Sequence, residues 1–269
     1  MDLPTIGPDI KTLILIVITS VVNRELQISY SIPMLLPFRA NNNFTGRDRE
    51  LVEIHRVLQG AEPNATISRQ KVMALHGLGG IGKTQLAIQY AYIHQNDYTS
   101  VWWVDASTTQ TLSEGFLGIA QRLLSYHSKK TTAGLKPDNA QIAEALGLPP
   151  SVVDQNGKLT TSRDNSEIIV NAIIAWFTAE DNNTWLLIID NYDDLKNVNI
   201  HDFLPRGSSG SILITSRSRD TGRFGNELEV QEVTEDEALE ILRKNARRDM
   251  ASFQRGMHST AFRASRKMK

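Results

Sequence analysis

Cysteine is missing from the 269-residue sequence. Disulfides and thiolate-ligated metal sites are therefore excluded, which fits a cytoplasmic chain. A surplus of either charge is missing as well: 29 Lys and Arg face 30 Asp and Glu, a formal net charge of -1. No overall field pulls the chain towards nucleic acid, and no nucleic-acid partner is expected. Long apolar runs are scarce. Leu13 to Val22 is nearly continuous but too short to span a bilayer comfortably. Asp2 and Asp9 precede it with Lys11 as the sole basic side chain, which is not the positive leader of a signal peptide. A membrane role is not expected. Its β-branched content favours a strand or packed segment, within a leader or linker over residues 1–35. No repeat array follows the central region. What remains is ordinary globular composition, 41% hydrophobic and 22% charged, suited to one α/β domain with less ordered ends.

The organising stretch is Val72 to Gln85, Val-Met-Ala-Leu-His-Gly-Leu-Gly-Gly-Ile-Gly-Lys-Thr-Gln. Gly77, four residues, then Gly82-Lys83-Thr84 is the phosphate-binding loop pattern. Glycines let backbone N–H groups wrap an anion without side chains in the way. Lys83 supplies positive charge for the β- and γ-phosphates, the Thr84 hydroxyl suits Mg²⁺, and the positive end of the next helix faces the phosphates. Gly77, Gly79, Gly80, Ile81, Gly82, Lys83, Thr84 and Gln85 form the candidate cradle. The flanks agree: Val72–Leu75 reads as a buried strand, and Leu86, Ala87, Tyr90 and Ala91 follow at helical spacing.

Elsewhere, Phe44-Thr45-Gly46-Arg47 sits in a loop ahead of a helix with Leu51, Ile54, Val57 and Leu58 on one face. Val101–Asp105 reads as a strand, with Trp102 and Trp103 as packing groups, and residues 113–126 as a helix. Ala140–Leu148 is a short helix stopped by Pro149 and Pro150, between two polar loops. Ile168, Ile169, Ala172, Ile173, Trp176 and Phe177 form a helical stripe. Trp185–Asp190 and Ser211–Thr215 are continuous apolar runs, the mark of central parallel strands covered on both faces. Leu228–Val230 is the last strand. Thr234 to Glu237 is a capping box opening a helix with Ala238, Leu239, Ile241 and Leu242 inward. Residues 246–269 form a basic tail without a pattern.

Asp190 ends one strand and suits Mg²⁺; Arg217 follows another and suits a γ-phosphate. Ligands of open α/β sheets sit at the carboxyl ends of the strands, so these residues and the glycine loop converge. The segments 44–51, 76–85, 101–107, 185–194 and 210–217, in this order, resemble the NB-ARC family of STAND nucleotide-binding switches, in particular its fungal, NOD-like-receptor-like branch. The resemblance spans about residues 36–245. It implies a P-loop NTPase fold, a three-layer α/β/α sandwich with a parallel sheet ordered 5-1-4-3-2. It implies that Thr45, Gly46 and Arg47 line an adenine pocket, that Arg217 is the sensor arginine, and that Thr84 and Asp190 hold the metal. The function implied is an ADP- or ATP-binding, Mg²⁺-dependent switch in signal transduction of the innate-immunity type.

The sequence departs from the family in two ways. Related hydrolysing ATPases carry an acidic residue directly after the metal aspartate; Asn191 stands there, and an amide is no general base. Asp193 and Asp194 are the candidate substitutes. The family also continues into helical ARC subdomains, whose Gly-Leu-Pro motif and sensing histidine are not found after Arg247, so the chain reads as truncated. The alternatives to a switch are a slow ATPase and a non-catalytic remnant that self-associates or packs on a full-length relative.

Overall fold

The computed structural model describes residues 32–34, 36–59, 70–130, 138–160, 162–179 and 182–245. The apolar run at 13–22, most of the loop at 59–69 and the basic tail lie outside the described residues. Among the described residues no helix is long and apolar enough to cross a membrane.

The elements in order are α1 (Asp48–Leu58), β1 (Lys71–His76), α2 (Lys83–Ile93), β2 (Ser100–Asp105), α3 (Thr109–Lys130) and α4 (Asn139–Ala145). Then come α5 (Arg163–Phe177), β3 (Trp185–Asp190), β4 (Ser211–Thr215), β5 (Asn226–Glu229) and α6 (Glu235–Asn245). All pairings are parallel and the sheet runs β2-β3-β4-β1-β5, which from the other edge is the expected 5-1-4-3-2. The α/β P-loop fold read from the sequence is therefore the fold found.

Strand side chains alternate between faces, so an all-apolar strand feeds two cores at once. In β3, Leu187 and Ile189 join Phe116, Leu123, Trp176 and Phe177 of α3 and α5 in one core. Leu186 and Ile188 join Ile54, Leu58, Leu86 and Tyr90 of α1 and α2 in the other. That alternation makes the three layers. Trp102 is buried edge-on to Trp176, and Trp103 packs edge-on to Phe38, so both tryptophans are packing groups. Gly210, at φ +67°, enters β4 directly beneath the Trp185 ring, where an added Cβ would fall 2.1 Å from a ring carbon. Only glycine satisfies both the left-handed backbone and this approach.

Several element boundaries differ from the sequence reading. Helix α3 extends through both ends of the 113–126 window, to Thr109 and Lys130. The last strand lies at 226–229 rather than 228–230, set by its pairing with Met73–His76. Ile168 is 47% exposed although it shares the α5 stripe, because it falls at the margin of the face that packs on the sheet. The capping box at Thr234 and Glu237 forms, with reciprocal bonds of 2.9 and 3.3 Å. The inward face expected for α6 does not: Leu239 and Leu242 are 50% and 65% exposed, so local capping fixes where this helix starts without folding its stripe into either core.

Candidate functional site

The site lies at the carboxyl ends of β1, β3 and β4. Strand β1 ends at His76 and α2 begins at Lys83, leaving a six-residue loop at 77–82. Gly77, Gly80 and Gly82 have φ of 137°, 78° and 103°, a backbone that L-residues avoid. A Cβ on Gly77 would fall 2.6 Å from the Val230 carbonyl oxygen, whereas Gly80 and Gly82 face open space within 4 Å. Gly77 thus packs the loop onto the sheet, and the other two turn the concave side outward. Gly82 takes the N-cap position without a side-chain cap, so first-turn N–H groups of α2 point into the concavity.

The Lys83 ammonium donates to the carbonyls of Gly77 and Leu78, each at 2.8 Å, and bridges the two sides of the loop. Its side chain is buried, and burial lowers its pKa; Asp193 and Asp190 pull the other way, while Arg217 reinforces the shift. A buried cation at a concave backbone nest is suited to a polyanion.

Opposite Lys83, the buried Asp190 accepts at Oδ1 from Thr84 Oγ1 at 2.9 Å and from Thr215 Oγ1 at 2.6 Å. Burial raises the Asp190 pKa; the two threonine hydroxyls counter it, and Asp105, beside it on β2, adds to it. Two hard oxygens 2.9 Å apart, one on a carboxylate that burial disfavours as an anion, are chemistry a small divalent cation would complete. Thr84 and Asp190 therefore fit the metal role expected of them.

Arg217 and Asp193 lie at the rim. Asp193 accepts from the Arg217 backbone N–H at Oδ1, 2.7 Å, and from Arg217 Nε at Oδ2, 2.9 Å. The arginine is 71% exposed and lies over Gly79 rather than deep in the cleft. The cavity between these groups is about 240 Å³ and is lined by Gly79, Gly80, Gly82, Lys83, Thr84, Gln85, Asn191, Asp193, Thr215 and Arg217. Its size is below the roughly 300–1,000 Å³ of pockets that enclose a whole small ligand, and suits a phosphate chain with the rest of the ligand outside.

The remaining candidates divide. Asp194 turns away: its carboxylate is exposed and caps the Asn197 backbone and side chain at 3.1 and 2.8 Å, which corrects its pairing with Asp193 as a second base. Thr45, Gly46 and Arg47 lie beside the cradle rather than in it. Arg47 is buried, pairs with Glu50 at 2.7 Å, and reaches the Ile81 carbonyl at 3.3 Å. Through that bond Ile81 ties the loop ahead of α1 to the phosphate loop. Gly46 and Arg47 both have positive φ, and a Cβ on Gly46 would meet Glu237 Oε1 at 2.6 Å.

The role of one residue escaped the sequence reading, and that of another was read only in part. Thr215 holds Asp190 and also accepts from the Asn191 backbone N–H at 3.1 Å. Its only signal is that it ends an apolar strand. Asn191 has φ 62°, a left-handed conformation for which asparagine is enriched. The amide that looked like a lost base also fits the backbone at that turn.

Residues 40–148 match the NB-ARC domain family. A "Nucleotide-binding leucine-rich repeat (NLR)-like protein" of Hyaloscypha variabilis (strain UAMH 11265 / GT02V1 / F) is 26% identical over 226 residues, covering 77% of this chain and 19% of the relative. The chain thus spans about a fifth of that relative's length. Among solved structures, Cdc6p from Pyrobaculum aerophilum aligns over 79% of this chain and 52% of its own, at 12% identity and a TM-score of 0.44. The Aeropyrum pernix ORC1 protein, solved in complex with DNA, aligns over 79% and 52% at 17% identity and a TM-score of 0.38.

Proposed function

We propose that this chain, which is similar to NB-ARC and NLR-like P-loop NTPases, works as an adenine-nucleotide switch, holding ADP or ATP with Mg²⁺ and signalling by the difference between the two states. One observation carries this reading: Lys83, Thr84 and Arg217 line a single phosphate-sized cavity, and Asp190 stands directly behind its wall, bonded to the lining residues Thr84 and Thr215. Gly77 to Gln85 would cradle the phosphates, and Thr84 and Asp190 would hold Mg²⁺, which neutralises phosphate charge when bound. Arg217, once released from Asp193, would turn its guanidinium to a third phosphate, and its place on the cavity lining supports that role. Thr45, Gly46 and Arg47 would take the adenine side, and the Arg47–Ile81 bond supports one ligand touching both segments. Location in the cytoplasm, a role in innate-immune signalling, a domain extending over 36–245, and self-association or association with a full-length relative all belong to this proposal.

The slow-ATPase reading has one observation in its favour: Asp193 lines the cavity. Its carboxylate is engaged by Arg217 through both oxygens, which leaves it a poor base until that contact opens. The deciding experiment identifies the nucleotide that copurifies with the protein and titrates ADP and ATP with Mg²⁺ by calorimetry. Saturable binding of both, with turnover below about 1 s⁻¹, supports the switch. No adenine-nucleotide binding overturns it, and faster turnover puts the enzyme first.

A further inference from the structure

A second cluster lies at the far end of α2. His55 is in the last turn of α1, His94 is the C-cap residue of α2, and Asp97 closes the 3-10 turn Gln95–Asp97. One donor atom from each lies within 4.8 Å of the other two. The imidazoles of His55 and His94 stack with centroids 3.9 Å apart and planes 19° apart. His94 Nδ1 is 2.8 Å from Asp97 Oδ2. His55 Nδ1 faces the hydroxyl of the buried Tyr90 at 3.5 Å, and that hydroxyl is held by Tyr98 at 2.7 Å. We infer that His55, His94 and Asp97 form a binding site for a late first-row divalent metal ion of the zinc type, distinct from the Mg²⁺ position at Thr84 and Asp190.

The chemistry favours this class of ion. Two imidazoles and one carboxylate suit Zn²⁺, Co²⁺, Ni²⁺ or Cu²⁺, whereas Mg²⁺ and Ca²⁺ prefer an all-oxygen set. Ligands about 2.0–2.1 Å from a tetrahedral ion stand about 3.3 Å from one another. The His94–Asp97 pair needs to open slightly from 2.8 Å, and the widest pair to close from 4.8 Å, by rotation of partly exposed side chains. The Tyr90 hydroxyl orients the His55 ring through the nitrogen it faces, the outer support that metal-bound imidazoles ordinarily have. Both histidines also stand at helix C-termini, where the backbone favours a cation. The three ligands come from α1, α2 and the turn beyond α2, so the ion would clasp the two helices together. The 11 residues of α2 put the clasp about 16 Å from the phosphate loop, so nucleotide binding is expected to be independent of it.

The test uses the full chain freed of metal with a chelator. Co²⁺ is titrated while its visible absorption is recorded, and Zn²⁺ is titrated by calorimetry. The expected result is saturable one-to-one binding with the intense visible bands of tetrahedral cobalt, displaced by Zn²⁺. His94→Ala and Asp97→Asn should each weaken it more than about tenfold. His201→Ala, at a remote exposed histidine, should leave it unchanged. Metal-free melts establish that the variants fold. If His94→Ala does not fold, Asp97→Asn decides, because it only neutralises an exposed carboxylate. No saturable binding, or binding that Asp97→Asn and His94→Ala leave intact, overturns the site.

Discussion

Replacing Lys83 with alanine tests the phosphate cradle most directly. In the free protein the ammonium donates to the Gly77 and Leu78 carbonyls at 2.8 Å. A bound polyphosphate would take over at least one of those bonds and convert it to a contact between full charges. Hydrogen bonds to charged groups contribute about 1.5–3 kcal/mol net, and because one existing bond is exchanged, a single such increment is the fair expectation for the whole side chain. At about 1.4 kcal/mol per decade, affinity should fall roughly tenfold to a hundredfold. The fold should survive. Burial already disfavours the Lys83 charge, and the carbonyls that it leaves belong to Gly77 and Leu78, which are half-buried and exposed, so water can replace it. A cost of about 1 kcal/mol moves the melting temperature of a chain this size by only about 2–4 °C. Calorimetric titration with Mg-ADP and Mg-ATP, beside a melt without nucleotide, separates the two effects. At 100 times the wild-type Kd, nucleotide should stabilise the wild type by about 2.7 kcal/mol and the variant far less. A variant that melts normally and binds within about threefold of wild type would refute the assignment of the loop.

Asp190→Asn should lower affinity for Mg-ATP more than for ADP in parallel titrations, and equal losses would make Asp190 structural. It should also change the pH profile. Burial raises the Asp190 pKa above its ordinary 3.8, so its contribution to stability is full below that value and declines as pH rises through the folded pKa; in melts of nucleotide-free protein the variant should therefore gain stability relative to wild type from acid to neutral pH. Thr215→Val takes hydroxyl contacts from both Asp190 and the Asn191 N–H, and should cost about 1–3 kcal/mol in a urea titration; an unchanged midpoint would show that water replaces the hydroxyl. Asn191→Asp keeps a side chain that tolerates positive φ and supplies a carboxylate at the cavity. Phosphate release should rise by about 10²–10⁴ if a missing base is what limits turnover, and no rise with ATP bound would place the limit elsewhere.

The fold was legible where local chemistry and burial agree. Trp185–Asp190 is apolar at every position up to a terminal acid, and only a strand covered on both faces uses such a run. The glycine loop was legible because an anion nest demands both its residues and its spacing. The site's inner bonds were not. Nothing in Ser211–Thr215 indicates that the last residue holds Asp190, since that bond depends on how β3 and β4 are brought side by side by β4's pairing with both β1 and β3. Asp193 and Asp194 look alike in sequence; the turn after β3 sends one to Arg217 and the other to Asn197. Helix α6 shows the reverse error. Its apolar stripe is real, but a periodic stripe reports only that a face could be buried, and Leu239 and Leu242 remain exposed. The His55–His94 pair was invisible because its members lie 39 positions apart and meet only through the packing of α1 beside α2.

On the proposed reading, the rim of the cavity favours holding nucleotide over consuming it. Asp193 spends one oxygen on the Arg217 backbone and the other on its Nε, so the candidate base and the candidate sensor restrain each other. The side-chain pair is largely exposed, and such pairs contribute only about 0–1 kcal/mol. A γ-phosphate beside Gly79 would offer Arg217 a charged contact worth about 1.5–3 kcal/mol, enough to draw the side chain away. A diphosphate reaching no further than the cradle would not. The difference, of the order of 1–2 kcal/mol, shifts a two-state equilibrium by roughly five- to thirtyfold. That would be a discrimination between ATP and ADP built from one surface arginine and its aspartate, and it would ask for no bond to be cleaved. Asp193, once freed, would face the same cavity, but the position next to Asp190 belongs to Asn191, whose backbone N–H is already committed to Thr215. On the proposed reading the residues nearest the phosphates would be committed to binding and sensing, and Asp193, the carboxylate lining the cavity, would become available to activate water only after the sensing step.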